Sequence, residues 1–142
     1  MGNRLMSGEP KTFGRKPRRF QAGFVVAAAA NPAIAYPQTL AAAGFARAEH
    51  TATGKYEFEL ADVWPTVLNG GVSVPAVFAL GATYGSAAEN ENLYAQAGAS
   101  VSGSTGRIII TVRLKAGAVN TDPAGGGINV WIEVESAPDR GQ

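Results

Sequence analysis

The sequence predicts an all-β fold: an antiparallel β-sandwich, jelly-roll-like, that carries an extended N-terminal arm. Apolar and polar residues alternate along several short segments, which is the pattern of half-buried strands. Glycine, proline and asparagine separate these segments, and no segment has a long helical periodicity. The 142 residues suffice for one domain with its own core.

The first half of the chain holds three predicted strands and one helical turn. A strand is expected at residues 24–30, where an apolar run follows a leader rich in glycine and proline. Residues 40–43 favour a helical turn that the following glycine ends. Residues 45–50 and 55–60 should form a hairpin around Gly54, because KYEFEL alternates strictly between charged and large apolar side chains.

The next predicted strands are weaker. Residues 72–80 contain β-branched side chains and Pro75, which suits an edge or bulged strand. Residues 93–101 have few large side chains. The glycine-, alanine- and serine-rich segments 81–88 and 97–106 are expected to be loop-like and to lie within the domain.

The two strongest predicted strands come last. RIIITVRLK at residues 107–115 and INVWIEVE at residues 128–135 each place four aliphatic side chains on one face. A loop of glycine, aspartate and proline joins them. We expect a long antiparallel hairpin in which Arg113 lies opposite Glu133 or Glu135.

Charge is unevenly distributed along the chain. Residues 1–20 hold six basic and one acidic side chain, a net charge of +5, and the remaining residues hold six basic and ten acidic side chains, a net charge of −4. Only 16% of all residues are charged, which suits a chain whose surface is partly covered by other chains. We therefore divide the chain into an extended basic arm, residues 1–22, and a β-sandwich domain, residues 23–142.

The arm is the candidate partner-binding segment. Its glycines and prolines disfavour regular structure, so we expect it to become ordered on neighbouring subunits. Two alternatives are a disordered solubilising tail and a twin-arginine export signal, since an apolar run and an A-x-A sequence follow Arg-Arg-Phe. The basic and apolar side chains predicted to contact a partner are Arg4, Leu5, Lys11, Phe13, Arg15, Lys16, Arg18, Arg19 and Phe20.

Catalytic chemistry has few residues to build on. The sequence has no cysteine, and its single histidine, His50, lies in a predicted strand without a G-x-S-x-G motif elsewhere. Glu57 and Glu59 share one strand face, as a glycosidase pair would, but a solvated or subunit-facing strand surface is the simpler explanation. We predict that His50 is structural and that the protein is not an enzyme.

Cofactor sites are equally weak in this sequence. Glu89, Glu91 and Asp122 lack the dense spacing of a calcium loop, and Asp122 before a proline is typical of a turn. Residues 125–127, three glycines, lack the lysine of a phosphate loop. We predict no metal, no cofactor and no specific nucleic-acid partner. No apolar run reaches the roughly 18 residues of a membrane span, so no membrane partner is predicted.

Several segments together resemble a known class of proteins. GFARAEHTATGKYEFEL, the following W-P turn, and RIIITVRLK with GGGINVWIEVESAPDR resemble small structural proteins of tailed bacteriophages, over residues 44–140. The resemblance implies a virion component of the capsid decoration, or cement, type, located on the capsid surface. Such proteins often form homotrimers and clamp neighbouring capsomers with terminal arms. The implied partners are the major capsid protein and further copies of this chain.

Two other functions are considered beside this one. A receptor- or glycan-binding head of a fibre or spike would expose aromatic side chains, such as Trp64 or Tyr84, in loops at one end. A hydrolase that uses His50 is the third hypothesis. Otherwise, Trp64 and Trp131 are expected to pack in the core or in an interface.

Overall fold

The computed structural model describes residues 17–64, 67–68, 71–72 and 75–136. Nearly all of the regular structure is β-strand, and the predicted all-β antiparallel sandwich is confirmed. The elements are β1 (Pro17–Val26), β2 (Ala33–Ile34), α1 (Leu40–Ala43), β3 (Phe45–Ala52), β4 (Lys55–Leu60), β5 (Val67–Leu68), β6 (Gly71–Val72), β7 (Val77–Ser86), β8 (Tyr94–Val101), β9 (Ile108–Ala116), β10 (Val119–Asn120) and β11 (Gly126–Glu135).

Two antiparallel sheets form the sandwich. Sheet I has the strand order β2–β1–β11–β7. Sheet II has the order β8–β9–β4–β3, and β10 pairs with the end of β9 beyond β4. A separate two-stranded hairpin joins β5 and β6. The outer strands are therefore β2 and β7 in sheet I, and β3 and β8 in sheet II.

The core lies between the sheets because the central strands direct large apolar side chains inward at every second position. Phe24 of sheet I packs against Phe45 and Phe58 of sheet II, with ring centroids 5.6 and 4.6 Å apart. Each fully buried side chain of this size contributes roughly 1.5–3 kcal/mol. The buried apolar side chains of the described core are Phe20, Ala22, Phe24, Val26, Ile128, Val130, Ile132 and Val134 from sheet I, with Phe45, Tyr56, Phe58, Leu60, Ile108, Ile110, Val112, Leu114 and Trp64.

The predicted hairpin between the two strongest strands is wrong. β9 lies in sheet II and β11 in sheet I, so their aliphatic faces meet across the core instead of lying side by side. Arg113 is paired in register with Lys55 of β4, and Glu133 with Arg19 of β1. The expected contact of Arg113 with Glu133 or Glu135 therefore does not form.

The loop after β9 explains this difference. The chain turns at Gly117 and pairs Lys115 with Asn120 on the edge of sheet II. The Asp122 carboxylate then accepts a hydrogen bond from the Gly54 amide, with an N–O distance of 2.6 Å. These contacts keep the loop at one end of sheet II, and the chain crosses to sheet I only after them.

The first strand begins earlier than the sequence predicts. β1 starts at Pro17 and ends at Val26, and residues 27–30 form a turn in which Ala30 donates to the Ala27 carbonyl. The strand is displaced because its first half pairs with β11 and buries Phe20. The domain boundary expected after residue 22 thus falls inside a strand of sheet I.

β7 and β8 also run through segments expected to be loop-like. In β7, a small residue makes room for a large neighbouring side chain. At Gly81 an added Cβ would lie 2.3 Å from Cζ2 of Trp131, so the absence of a side chain makes room for the indole. By contrast, the hairpin of β3 and β4 around Gly54 is confirmed. The helical turn is confirmed too: it ends at Gly44, whose φ of 87° is left-handed.

Candidate interaction surface

β1 carries the last three of the predicted arm residues, and they have different environments. Phe20 is only 3% exposed and packs edge-on against Trp64, with ring centroids 6.4 Å apart. Arg18 lies 4.7 Å from the centroid of the Phe20 ring and forms an ion pair of 2.7 Å with Asp62. Arg19 is exposed. Phe20 is therefore a core residue and is not available to a partner, contrary to the prediction.

The other predicted arm residues lie outside the described residues. They are Arg4, Leu5, Lys11, Phe13, Arg15 and Lys16. The described part of the chain begins at Pro17, which is the first residue of β1. From Pro17 onward, the predicted arm residues therefore belong to a strand of the sandwich. An arm that contacts partners would comprise residues 1–16.

The outer face of sheet II bears a cluster of charges around Arg47. Its guanidinium contacts the carboxylates of Glu49, Glu57 and Glu59 at 2.6, 3.3 and 3.0 Å. The hydrogen bond to Glu59 raises the pKa of Arg47, against the opposing effect of burial. Because Glu57 and Glu59 both bind the same cation, they do not form an acid and nucleophile pair, and the strand-surface explanation agrees with this geometry.

His50 sits at one end of the sandwich and contacts one carboxylate. Its Nε2 lies 2.9 Å from Oδ1 of Asp122, and its ring packs edge-on against Tyr56. The hydroxyl of Tyr56 donates to the Ala28 carbonyl at 2.8 Å, and burial, with the nearby charge of Asp122, raises the pKa of Tyr56 to about 12. These contacts tie the loop after β10 to sheet II, which is a structural role for His50.

Glu91 performs a similar task on the side of sheet I. Its carboxylate accepts hydrogen bonds from the hydroxyls of Tyr84 and Ser86, at 2.5 and 2.6 Å, and from the Ala124 amide at 2.8 Å. These bonds, that of Ser86 first, lower the pKa of Glu91. Within the described ranges, Asp, Glu and His residues form no group of three that would hold a metal ion.

The hydrogen bonds of the Asp122 carboxylate predict how the stability of the protein changes in acid. Burial alone would raise the pKa of Asp122, but hydrogen bonds from Gly54 and His50 together lower it. A lowered pKa stabilises the fold above the unfolded value of roughly 4, and this contribution is lost as the pH falls through the folded value. Asp122→Asn should therefore flatten the loss of stability between about pH 5 and pH 2, measured by urea unfolding.

Glu89 is the control for this prediction. It is exposed beside the same end of the sandwich and makes no hydrogen bond with the described residues. Glu89→Gln should leave the acid limb of the stability curve unchanged. An Asp122→Asn variant with the wild-type acid limb would contradict the proposed linkage.

Trp64 and Tyr84 do not have the exposed positions expected of aromatic side chains in a ligand-binding loop, whereas Tyr36, Phe78 and Tyr94 are exposed. Trp64 is 2% exposed and donates to the Glu135 carbonyl at 3.0 Å. Tyr84 packs against the core. Trp131 lies half-buried on the outer face of sheet I, over Gly81. The expectation of core or interface packing for Trp64 is confirmed by its burial in the core.

A pair of uncharged outer strands forms a surface feature that the sequence pattern did not predict. β7 (VFALGATYGS) and β8 (YAQAGASV) contain no charged residue and no proline. They are consecutive in the chain, lie at the same side of the sandwich, and approach each other to within 8 Å between Cα atoms. The signal was present in the sequence as two charge-free stretches, but their small residues favoured loops.

The opposite side of the sandwich is protected against further strand pairing. β3 carries Arg47, Glu49 and His50, and it has two register shifts. β2 is only two residues long. Charged side chains, bulges and short length are the means by which natural outer strands avoid pairing with other chains. Of the described outer strands, β7 and β8 are the two that combine a length of at least eight residues with the absence of charged side chains, and the one register shift of β7 lies near Val77 at its start.

Comparisons with protein-family models, with curated proteins and with solved structures gave no match. No described helix has the length and apolar character needed to cross a bilayer.

Proposed function

We propose that this chain is a structural virion protein, a capsid decoration protein that stabilises a bacteriophage head. It bridges capsid subunits through its N-terminal arm and an oligomeric β-sandwich. The observation that carries this proposal is the place where the basic leader joins the sandwich: the residue after the leader, Pro17, is the first of β1, a strand of sheet I that β11 flanks along its whole length.

The long pairing of β1 with β11 suits a protein that bears mechanical load through the segment before β1. β1 pairs with β11 over ten residues in register, from Pro17 opposite Glu135 to Val26 opposite Gly126. A pull on residues 1–16 would act along these strands and load their hydrogen bonds together in shear. The buried Phe20 anchors the start of β1 in the core, and the exposed Arg18 ties the same part of the strand to Asp62 at the surface.

Charge supplies the attraction to the shell. Residues 1–16 contain Arg4, Lys11, Arg15 and Lys16 against the single acidic Glu9. A cationic segment of this kind fits an acidic groove on the major capsid protein, with an attraction that salt weakens. Several copies of the arm, held by one oligomer, give avidity greater than that of one arm.

Deletion of residues 1–16 should abolish binding to expanded heads of the parent phage and leave the sandwich folded. Cosedimentation with heads measures the binding, and circular dichroism with thermal unfolding measures the fold. The deletion must stop before Pro17, because removal of residues 17–20 would also remove Phe20 from the core. Full binding by the shortened protein would contradict the role of the arm.

A matched pair of variants tests the role of charge in this binding. Replacing Arg15 and Lys16 by glutamine should weaken head binding and reduce its dependence on salt. Replacing Glu9 by glutamine, which raises the positive charge of the same segment, should leave binding as strong or make it stronger.

The alternative function, a receptor- or glycan-binding head, finds less support. It required Trp64 or Tyr84 to be exposed at one end, whereas Trp64 is buried and Tyr84 packs inward. Tyr36, Phe78 and Tyr94 are exposed and Trp131 is half-buried, so this function would have to use one of these aromatic side chains. A glycan array in which wild-type protein binds and Trp131→Ala does not would favour the alternative.

A further inference from the structure

The unpaired backbone groups of β7 can be located residue by residue. The Ala87 amide donates to the Gly125 carbonyl at 3.0 Å, and the register of β7 with β11 continues unbroken from Ser86 to Ala79. Hydrogen-bonded and non-bonded pairs alternate along an antiparallel ladder. Leu80, Ala82 and Tyr84 in the middle of the strand, and Ser86 at its end, therefore direct their amide and carbonyl groups away from β11.

These groups find no backbone partner in the described part of the chain. β7 pairs with β11 alone, and no backbone hydrogen bond joins it to the nearby β8. Among the described residues, the peptide groups of Leu80, Ala82 and Tyr84 thus form an unpaired row in the middle of a ten-residue strand that has no charged side chain. Such a row is a template for strand addition unless charge, proline or a cover protects it.

We propose that β7 pairs with β7 of a second copy, in an antiparallel contact about a two-fold axis at Ala82. Ala82 then lies opposite its own symmetry mate, and Leu80 lies opposite Tyr84 of the second copy. Each of these three pairs exchanges two N–H to C=O bonds, about six in all. The four strands of each sheet I become one continuous sheet across the axis.

The side chains of β7 are compatible with this symmetry. On the inner face, Leu80 and Tyr84 already pack partly against the core, so their contact across the axis extends the core from one copy to the other. On the outer face, Gly81 lies opposite Thr83. No like charges oppose each other across the axis, because the strand has none. The surface is therefore self-complementary, as a two-fold contact requires.

The β7 contact bears on the proposed function at one point: the decoration role requires an oligomer of the sandwich, and this contact would form one. When β7 of one copy pairs with β7 of a second copy, the contact uses up both strands and gives a closed dimer. The phage resemblance, by contrast, implies a trimer. The two outcomes differ in mass. The arm and the strand contact lie on different parts of the chain, so they are tested separately.

The mass in solution, measured by light scattering and sedimentation, tests the contact. The full-length protein should have a mass of 29.2 kDa, twice the 14.6 kDa of one chain. Thr83→Lys with Gly85→Lys places four positive charges across the axis, and it should raise the dimer dissociation constant at least about tenfold. Gly85 has open space for the new side chain. Ala46→Lys with Ala52→Lys adds the same charge to β3 and should leave the dimer intact.

Hydrogen exchange gives a second and direct measurement. The amides of Leu80, Ala82 and Tyr84 should exchange slowly at concentrations where the dimer forms and quickly after dilution, while their neighbours at Gly81 and Thr83 stay slow in both. Ala82→Pro removes a donor that faces the second copy and none that faces β11, so it should abolish the dimer.

Three outcomes would overturn the inference: a monomer or trimer at every concentration, a dimer unaffected by the lysines at positions 83 and 85, or fast exchange of the three amides in the dimer. Head binding separates the two proposals. Loss of binding after deletion of residues 1–16, with no change of mass in the lysine variant, would leave the decoration role standing and remove the strand contact. A β7 dimer that does not bind heads would do the reverse.

Discussion

Replacing Gly54 by alanine should destabilise the protein by roughly 2–5 kcal/mol. The glycine has a φ of 65°, which costs a side-chain-bearing residue about 1–2 kcal/mol. An added Cβ would also lie 2.5 Å from the Thr121 nitrogen and 2.7 Å from the Leu114 oxygen. Because both neighbours are backbone atoms, they cannot rotate away, and overpacking of this kind costs about 1–3 kcal/mol more.

The effect is large because Gly54 connects β9 with the loop after β10, where the chain crosses from sheet II to sheet I. Its carbonyl accepts from the Leu114 amide at 2.8 Å, and its amide donates to Asp122 at 2.6 Å. A displacement at this position therefore disturbs β9, the loop after β10 and the contact with His50 at once. Denaturant unfolding followed by tryptophan fluorescence measures the loss of stability.

Gly117 is the matched control for this prediction. It has nearly the same left-handed conformation, with a φ of 63°, but a Cβ there would meet no atom within 4 Å. Gly117→Ala should therefore cost only the conformational term, about 1–2 kcal/mol. Equal losses for the two variants would show that the close approach of Gly54 to Leu114 and Thr121 does not contribute.

Local patterns predicted the elements that local interactions determine. The hairpin of β3 and β4 follows from strict alternation in KYEFEL beside a glycine, and the register around Gly54 agrees with it. The end of α1 at Gly44 follows from a backbone conformation that glycine adopts readily. These features need no knowledge of residues distant in the chain.

The partner of each aliphatic strand could not be predicted in this way. Four aliphatic side chains on one face of β9 suit a hairpin with β11 as well as a position across the core from it. The choice is made by contacts between distant residues, such as that of Gly54 with Asp122, which are 68 positions apart. Alternation gives the face of a strand that is buried, and it carries no information about the sheet to which the strand belongs.

The candidate interaction surface also has features that local patterns predict and features that depend on residues distant in the chain. The excess of basic residues distinguishes the leader from the body by charge, but charge does not show where β1 begins, and the predicted arm extended to residue 22. The alternation of Phe20, Ala22 and Phe24 carries the better signal, and the small Ala22 and Gly23 weaken it. For β7, the pattern of free peptide groups depends on its pairing with β11 and cannot be obtained from composition.

Replacing Phe20 by alanine should cost about 3–5 kcal/mol of unfolding free energy, comparable with much of the stability of a typical domain. The ring is buried against Trp64 and lies against Gly44, where an added Cβ would be 2.6 Å from its Cδ1. Its removal leaves a cavity where β1 meets α1, and the guanidinium of Arg18 loses the ring on which it stacks.

Gln21→Ala is the control, because the neighbouring side chain on β1 is exposed and its loss should change the free energy by no more than about 0.5 kcal/mol. The comparison separates the two roles considered for Phe20. A core residue lowers stability and affects head binding only in proportion to the unfolded fraction. A partner-binding residue lowers head binding at unchanged stability, and that result would return residues 17–20 to the arm. Since Phe20 is buried within a single chain, before any partner is present, we expect the first result and a functional arm that ends at Lys16.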